Sequence, residues 1–238
     1  MKLKYDFHLH SCLSPCGDND MTPYNLVNMA KLMGYDIIAL TDHNSCLNCP
    51  AAIKAGEEAG ITVVPGMELC TSEEIHTVCL FPTLEKALEF SEYVKSTMPP
   101  IMNDESIFGN QYIMDHTDKI LGKEEILLTT ASGISIDDVV REVSRFDGVA
   151  FPAHLDRASY SVLSVLGFMY PEMSFTCAEF THKAYIPQYE EKHELLKGMI
   201  HLRNSDAHYL ENMVEASCEI DIPQCSPQAV TEYIKAGC

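Results

Sequence analysis

Leu3-Lys4-Tyr5-Asp6-Phe7-His8-Leu9-His10 opens the chain with a β-type run that ends in two histidines. Leu3 to His8 reads as a strand, and residues two apart on a strand share a face. His8 and His10 therefore present two imidazoles on the same side where the strand runs out. The next β-type run repeats the arrangement. Asp36 to Leu40 reads as a buried strand, and Asp42-His43 follows it directly. Between the two, Thr22 and Pro23 start a helix whose apolar face is Leu26, Val27, Met29, Ala30 and Met33, with Gly34 ending it.

This alternation continues along the chain. The patterns predict a helix over Pro50 to Ala59, strands over Ile61 to Val64 and Ile75 to Phe81, and a helix over Leu84 to Thr97. Residues 99–132, with their Pro-Pro and scattered Gly and Asn, interrupt the rhythm and read as an inserted flap or hairpin beside the working face. The repeat resumes with a helix over Ile136 to Phe146, strands over Gly148 to Phe151, Thr176 to Phe180, Met199 to Arg203 and Cys218 to Ile222, and helices near Val162 and over Gln188 to Leu196 and Pro227 to Ala236. Such alternation implies a parallel sheet covered by helices. About seven units in 238 residues favour a single α/β domain closed into a barrel.

The polar residues fall where that architecture places chemistry. Glu68 follows the run Val63-Val64-Pro65-Gly66, His154 follows Val149-Ala150-Phe151-Pro152, and Asp206 and His208 follow Ile200 to Arg203. With His8, His10, Asp42 and His43, each sits at or just after the carboxyl end of an expected strand, and in a parallel barrel those ends share one face. His76 is the exception, at the edge of the strand that follows Glu68. Imidazole mixed with carboxylate suits zinc, manganese or iron and leaves positions open for water, which bound to such an ion loses a proton near neutral pH. A lone histidine at a strand end is ordinary, and a lone Asp there is usually a helix cap; it is the recurrence that points to a metal centre. Of the other histidines, His116 and His193 read as solvated and His201 as facing the core or the barrel wall. His182 is open between a substrate contact and a loop residue.

Composition narrows the partners. The net charge of −19 repels the phosphates of a long nucleic acid duplex, while bound cations would still allow an anionic substrate. No run of ~18 apolar residues is present, as a membrane-spanning helix needs, and the first residues lack the apolar region of a signal peptide, so the chain reads as cytoplasmic. The ten cysteines read mostly as reduced thiols. Cys46-x-x-Cys49 and Cys12-x-x-x-Cys16 are open between small loop residues and a structural metal site.

The ordered set His8-Leu9-His10, Thr41-Asp42-His43, Pro65-Gly66-Met67-Glu68, Pro152-Ala153-His154 and Ser205-Asp206-Ala207-His208 resembles the PHP (polymerase and histidinol phosphatase) domain family, over most of the chain. The resemblance implies a distorted (β/α)7 barrel holding three divalent ions. One would be bound by His8, His10, Glu68 and Asp206, a second by Glu68, His76 and His154, and a third by Asp18, His43 and His208. Asp20 competes for the role of Asp18, and His116 for that of His76. The activity implied is hydrolysis of a small phosphate ester or of a nucleotide or short oligonucleotide end, with amide hydrolysis and a non-catalytic metal-binding module as alternatives. In that chemistry Arg157 would hold phosphate or else pair with Asp156, Asp42 would orient a ligand histidine, and His182 or bound water would serve as general acid, with Lys183 a further phosphate contact.

Overall fold

The computed structural model describes residues 1–237. In chain order the elements are β1 (Lys2–Asp6), α1 (Pro23–Leu32), β2 (Ile37–Leu40), α2 (Cys49–Ala59), β3 (Thr62–Cys70), β4 (His76–Leu80), α3 (Leu84–Thr97), α4 (Glu105–Phe108), β5 (Tyr112–Met114), β6 (Ile120–Lys123), α5 (Val139–Ser144), β7 (Val149–Pro152), α6 (Val162–Val165), β8 (Cys177–Glu179), α7 (Ile186–Lys192), β9 (Ile200–Leu202), β10 (Glu219–Asp221) and α8 (Pro227–Ala236). Six strands form one sheet in the order β10-β1-β2-β3-β4-β7, and β8 and β9 form a separate pair. The six-stranded sheet curls into a half-barrel. The β8–β9 pair is joined to one end of it by Leu155 N donating to Glu179 O (2.8 Å) and to the other by His10 N donating to Ala207 O (3.1 Å). Among the described residues, no helix is long and apolar enough to cross a membrane.

The sheet is not uniformly parallel, which corrects the sequence-based expectation. β1, β2 and β3 run parallel, as do β8 and β9. β4 is antiparallel to both β3 and β7, and β10 is antiparallel to β1. The reversal follows from a short connection. Only Thr71 to Ile75 separate β3 from β4, too few residues for the helical crossover that a parallel pair requires. It also lengthens β3 beyond the expected Val64. Pairing with β2 ends at Pro65, but pairing with β4 carries β3 on through Glu68 to Cys70.

Strand alternation divides the apolar side chains between two cores. Ile38, Leu40, Val63 and Met67 face outward against Leu26 and Val27 of α1 and Phe90 of α3. Phe7, Ile37, Ala39, Val64, Val78 and Phe151 face the concave side, which Val230 and Ile234 of α8 help to fill. α8 starts where Ser226 Oγ accepts from Ala229 N and Pro227 supplies a pre-set φ. α3 keeps its expected bounds, whereas α5 and α7 come out shorter than their apolar patterns suggest. α5 covers only Val139–Ser144, and α7 ends at Lys192, where a 3-10 turn takes over.

The insertion is a hairpin. β5 and β6 pair antiparallel, with a register shift at Ile113/Met114. Asn48 fastens it by donating to Tyr112 O (3.0 Å) and accepting from Met114 N (2.9 Å). Cys46 and Cys49 are buried free thiols against Gly66 O, at 3.1 and 3.6 Å, which is the small-residue reading of that pair.

Gly66 marks the tightest point beside the site. A Cβ there would stand 2.8 Å from Leu80 Cδ2 and 2.9 Å from both Cys79 O and Thr41 Cγ2. Gly66→Ala should therefore lower stability by roughly 1–3 kcal/mol, the usual cost of overpacking. Chemical denaturation checks this, and an unchanged midpoint would show that the β2–β3–β4 wall can yield.

Candidate metal centre

Antiparallel β4 explains the exceptional position of His76. Cys70 pairs with His76 across the β3–β4 ladder, so the amino end of β4 lies at the same rim as the carboxyl ends of its neighbours. At that rim the carboxylate of Glu68 is the hub. His8 Nε2 (3.2 Å), His76 Nδ1 (2.9 Å) and His154 Nε2 (3.3 Å) face Oε1, while His10 Nε2 (3.3 Å) and His43 Nδ1 (3.0 Å) face Oε2. Asp206 Oδ1 lies 3.3 Å from His8 Nε2 and 3.1 Å from His10 Nε2. Glu68 is 1% exposed, and His8 and His10 are fully buried.

Ligand atoms converge in three groups. His8, His10, Glu68 and Asp206 form one, His43, Glu68 and His76 a second, and His10, His43 and His208 a third. The first matches the expected set. The second includes His43 where His154 was expected, although His154 still reaches Glu68. The third does not include Asp18, whose Oδ1 instead accepts from Asp20 N at 2.8 Å. Asp20 is exposed. His116 pairs distantly with Glu58 (3.6 Å), away from the cluster.

The tautomers are fixed from behind. His8 Nδ1 lies 2.9 Å from Glu179 Oε2, and a carboxylate can only accept, so Nδ1 carries the proton and Nε2 is left facing the cluster. Glu179 is fully buried, and it also accepts from Asn204 Nδ2 (3.1 Å). Sequence reading missed it, although it ends an expected strand as the other site carboxylates do. Asp42 reaches His10 through a relay. Ser14 Oγ donates to Asp42 Oδ1 (2.7 Å) and accepts from His43 N (3.2 Å). With its one proton spent on Asp42, it must also accept from His10 Nδ1 (3.0 Å), again leaving Nε2 for the cluster. His208 Nδ1 donates to Asp206 O (2.9 Å) and its ring stacks on His10, with centroids 4.1 Å apart.

Lone pairs thus face lone pairs. His8 Nε2 and His10 Nε2 are 3.2 Å apart and both confront carboxylate oxygens. Buried Asp206 Oδ1 and His43 Nδ1 nevertheless lack hydrogen-bond alignment with any partner. Either added protons or cations must stand between such groups. The proton side of that demand is visible in the pKa values. Burial opposes a charge on His8, but Glu179, Asp206 and Glu68 pull its pKa well above the imidazole value. Burial would raise Glu68, yet His76, His8 and His43 hold it well below the carboxylate range. The donor set fits divalent metal ions. Two residues of the cluster, His154 (φ 31°) and Asp206 (φ 51°), hold left-handed backbone, a strain typical of functional positions.

A cavity of about 110 Å³ opens over the cluster, walled by Arg157, Ser159 and Tyr160 as well as the histidines. Tyr160 stacks on His76 with centroids 4.7 Å apart. Arg157 bonds Asp206, not Asp156. The reason is that Asp156 is occupied, accepting from Thr181 N (2.8 Å) and His182 N (3.0 Å). Arg157 also lines a neighbouring cavity of about 690 Å³ with His182 and Arg203. His182 is exposed there and is not part of the cluster, while Lys183 lines a separate cavity.

The family model for the PHP domain matches residues 6–223, and the chain belongs to that family. It is 37% identical over 83 residues to a 5'-3' exoribonuclease of Haemophilus influenzae, a match covering 34% of this chain and 29% of the relative. Its fold is similar to that of the lesion-specific endonuclease Q of Pyrococcus furiosus, with a TM-score of 0.68 at 17% identity over 99% of this chain and 56% of that one. It is also similar to that of a protein proposed to be a metal-dependent phosphoesterase from Bifidobacterium adolescentis, with a TM-score of 0.61 at 17% identity over 98% and 96%. The chain thus spans well under two thirds of the exoribonuclease and of the endonuclease.

Glu179→Gln should weaken metal binding by about 10- to 100-fold, because it removes the acceptor that fixes the His8 tautomer. Competition against a chromogenic chelator measures this. Unchanged affinity would mean that His8 needs no such partner.

Proposed function

We propose that the chain is a metal-dependent hydrolase of phosphate ester bonds. One observation carries the reading, the meeting of His8 Nε2, His10 Nε2, Glu68 and Asp206 with no group of opposite character between them. Up to three divalent ions, zinc, manganese or iron, would be held by His8, His10, Glu68 and Asp206, by Glu68, His43, His76 and His154, and around His10, His43 and His208. Bound there, they would supply Lewis acidity and a nucleophilic water at neutral pH.

The protein's own groups do the rest. Glu68 and Asp206 bring negative charge to the point where cations are wanted, and Glu179 and Asp42 keep the imidazoles aimed. Arg157 stands between the two cavities with its fork partly exposed, a place suited to phosphoryl oxygens. The larger cavity would receive the leaving group, with His182 in reach of it as a proton donor. The half-barrel together with β8–β9 supports reading the whole as a distorted (β/α)7 barrel, with the insertion at 99–132 shaping access.

A small phosphate ester, or the end of a nucleotide or short oligonucleotide, suits these dimensions. The net charge of −19 disfavours an extended duplex. The amide-hydrolase alternative draws less support, because Glu68 holds the bridging position and no lysine lines the small cavity.

Elemental analysis of the purified protein, paired with a panel of phosphomonoesters and phosphodiesters, tests the reading. Chelation should abolish phosphate release and manganese should restore it. His10→Ala and Asp206→Ala should each lose metal and turnover together. Full activity without metal would refute the proposal. Arg157→Ala should keep its metal but lose roughly 100-fold or more in kcat, the scale of a missing charge-stabilising donor. An unchanged rate would leave Arg157 a structural ion pair only.

A further inference from the structure

One wall of the small cavity has no task in the proposed hydrolysis. Tyr160 stands there beside Arg157 and Ser159. Its backbone is left-handed (φ 56°), a conformation that suits glycine, Asn or Asp and is an outlier for a bulky side chain. Among the described non-glycine residues with positive φ, His154, Asp206 and Tyr160 are the three that line this cavity, and the first two belong to the cluster. The segment that imposes the conformation is tied down along its length. Arg157 N donates to His154 O (2.9 Å), and buried Ser161 donates through Oγ to Arg157 O (3.0 Å). Tyr160 O accepts from His76 N (2.8 Å) at the amino end of β4.

That backbone bond asks nothing of the Tyr160 side chain, since any residue could supply the carbonyl. The ring has a separate role. It lies nearly parallel to the His76 ring, at an interplanar angle of 16° with centroids 4.7 Å apart, yet Tyr160 is 50% exposed. One face is spent on a ring of the cluster, and the rest of the side chain stays open to solvent. A ring kept half in water gains little from burial, so packing alone does not account for an aromatic side chain at a strained position.

The dimensions of the cavity limit what can enter it. Its volume of about 110 Å³ is small beside the ~300–1,000 Å³ of sites that enclose a whole ligand, and suits a phosphoryl group alone. The larger cavity shares Arg157 with it and no other wall residue. A phosphate held between the cluster and Arg157 therefore has two outlets, one into the larger cavity and one past Tyr160. We propose that Tyr160 is a specificity-determining residue, a platform for a planar group on the part of the substrate that stays attached to the phosphate while the leaving group occupies the larger cavity. This rests on the phosphate-ester reading above and narrows it to a diester. A nucleotide whose base lies on Tyr160 has the required form. Stacking on an aromatic face accepts any base, so the platform selects nucleotide ends without reading their sequence.

Calorimetric titration of the manganese-loaded protein with phosphonates, which cannot be hydrolysed, tests the platform apart from turnover. The probes are the phosphonate analogues of adenosine monophosphate and of ribose phosphate, and benzylphosphonate, with inorganic phosphate as the reference. The native protein should bind the adenosine probe about 5- to 150-fold more tightly than the ribose probe, the scale of one stacked base. Tyr160→Asn, which tolerates left-handed backbone, should erase the difference, and Tyr160→Phe should keep it. Inorganic phosphate should bind all three proteins alike. The comparison within the native protein decides the matter even where a variant loses metal. A gain for benzylphosphonate alone would keep the platform and replace the nucleotide by an aryl ester. Equal binding of all three probes to the native protein, or an adenosine advantage that survives Tyr160→Asn, would overturn the role of Tyr160 and leave the phosphate site standing. No binding of any probe or of inorganic phosphate would overturn the phosphate-ester reading itself.

Discussion

A carboxylate buried among five imidazoles is the constraint on which the rest of this molecule depends. Glu68 cannot be hydrated where it sits, and a buried charge left unpaired is far costlier than any gain from packing around it. Its surroundings must therefore supply positive character from several directions at once. That requirement reaches into the backbone. β3 has to continue past its parallel partner, so β4 must turn back antiparallel, and His76 then arrives at the rim from the opposite chain direction. His154 and Asp206 accept left-handed backbone to bring their side chains to the same place. Behind the cluster, Glu179 leaves His8 one orientation and the Asp42–Ser14 pair does the same for His10.

Much of this was legible in the chain itself. The strand-end positions of His8, His10, His43, Glu68, His154, Asp206 and His208 follow from apolar runs that stop at polar residues, and the structure gathers all of them. What escaped was whatever depends on strand direction or on a side chain's last rotation. A strand reads alike in either direction, so the antiparallel course of β4 left no trace in its own residues. The clue lay in the five-residue connection before it. The resemblance gives Asp18 to the third group, and after the turn closed by Gly17 its carboxylate accepts from Asp20 N. Glu179 meets the same positional criterion as its fellows, at the end of the short strand Cys177–Glu179.

Arg157 and Asp156 show a similar limit. Adjacent opposite charges suggest a pair, but neighbours along an irregular segment need not face each other. Asp156 instead orders the loop at Thr181 and His182. Arg157 is thereby released toward Asp206 and the boundary of both cavities. The same economy governs the cysteines. Cys46 and Cys49 pack as buried thiols against Gly66 O and bind no neighbour of the cluster.

The attachment of the inserted hairpin carries a consequence for how this protein can diversify. Asn48 grips only the main chain of Tyr112 and Met114, while its other amide proton reaches Ser11 Oγ and, through it, Asp42. The join is blind to the hairpin's side chains. Residues such as Ile120 and Leu121, which lie open on its far strand, can be exchanged without any change passing down that chain of bonds to His10. At Asn48 the fold thus joins a part whose outer side chains can vary to the part that carries the cluster through the hairpin's main chain.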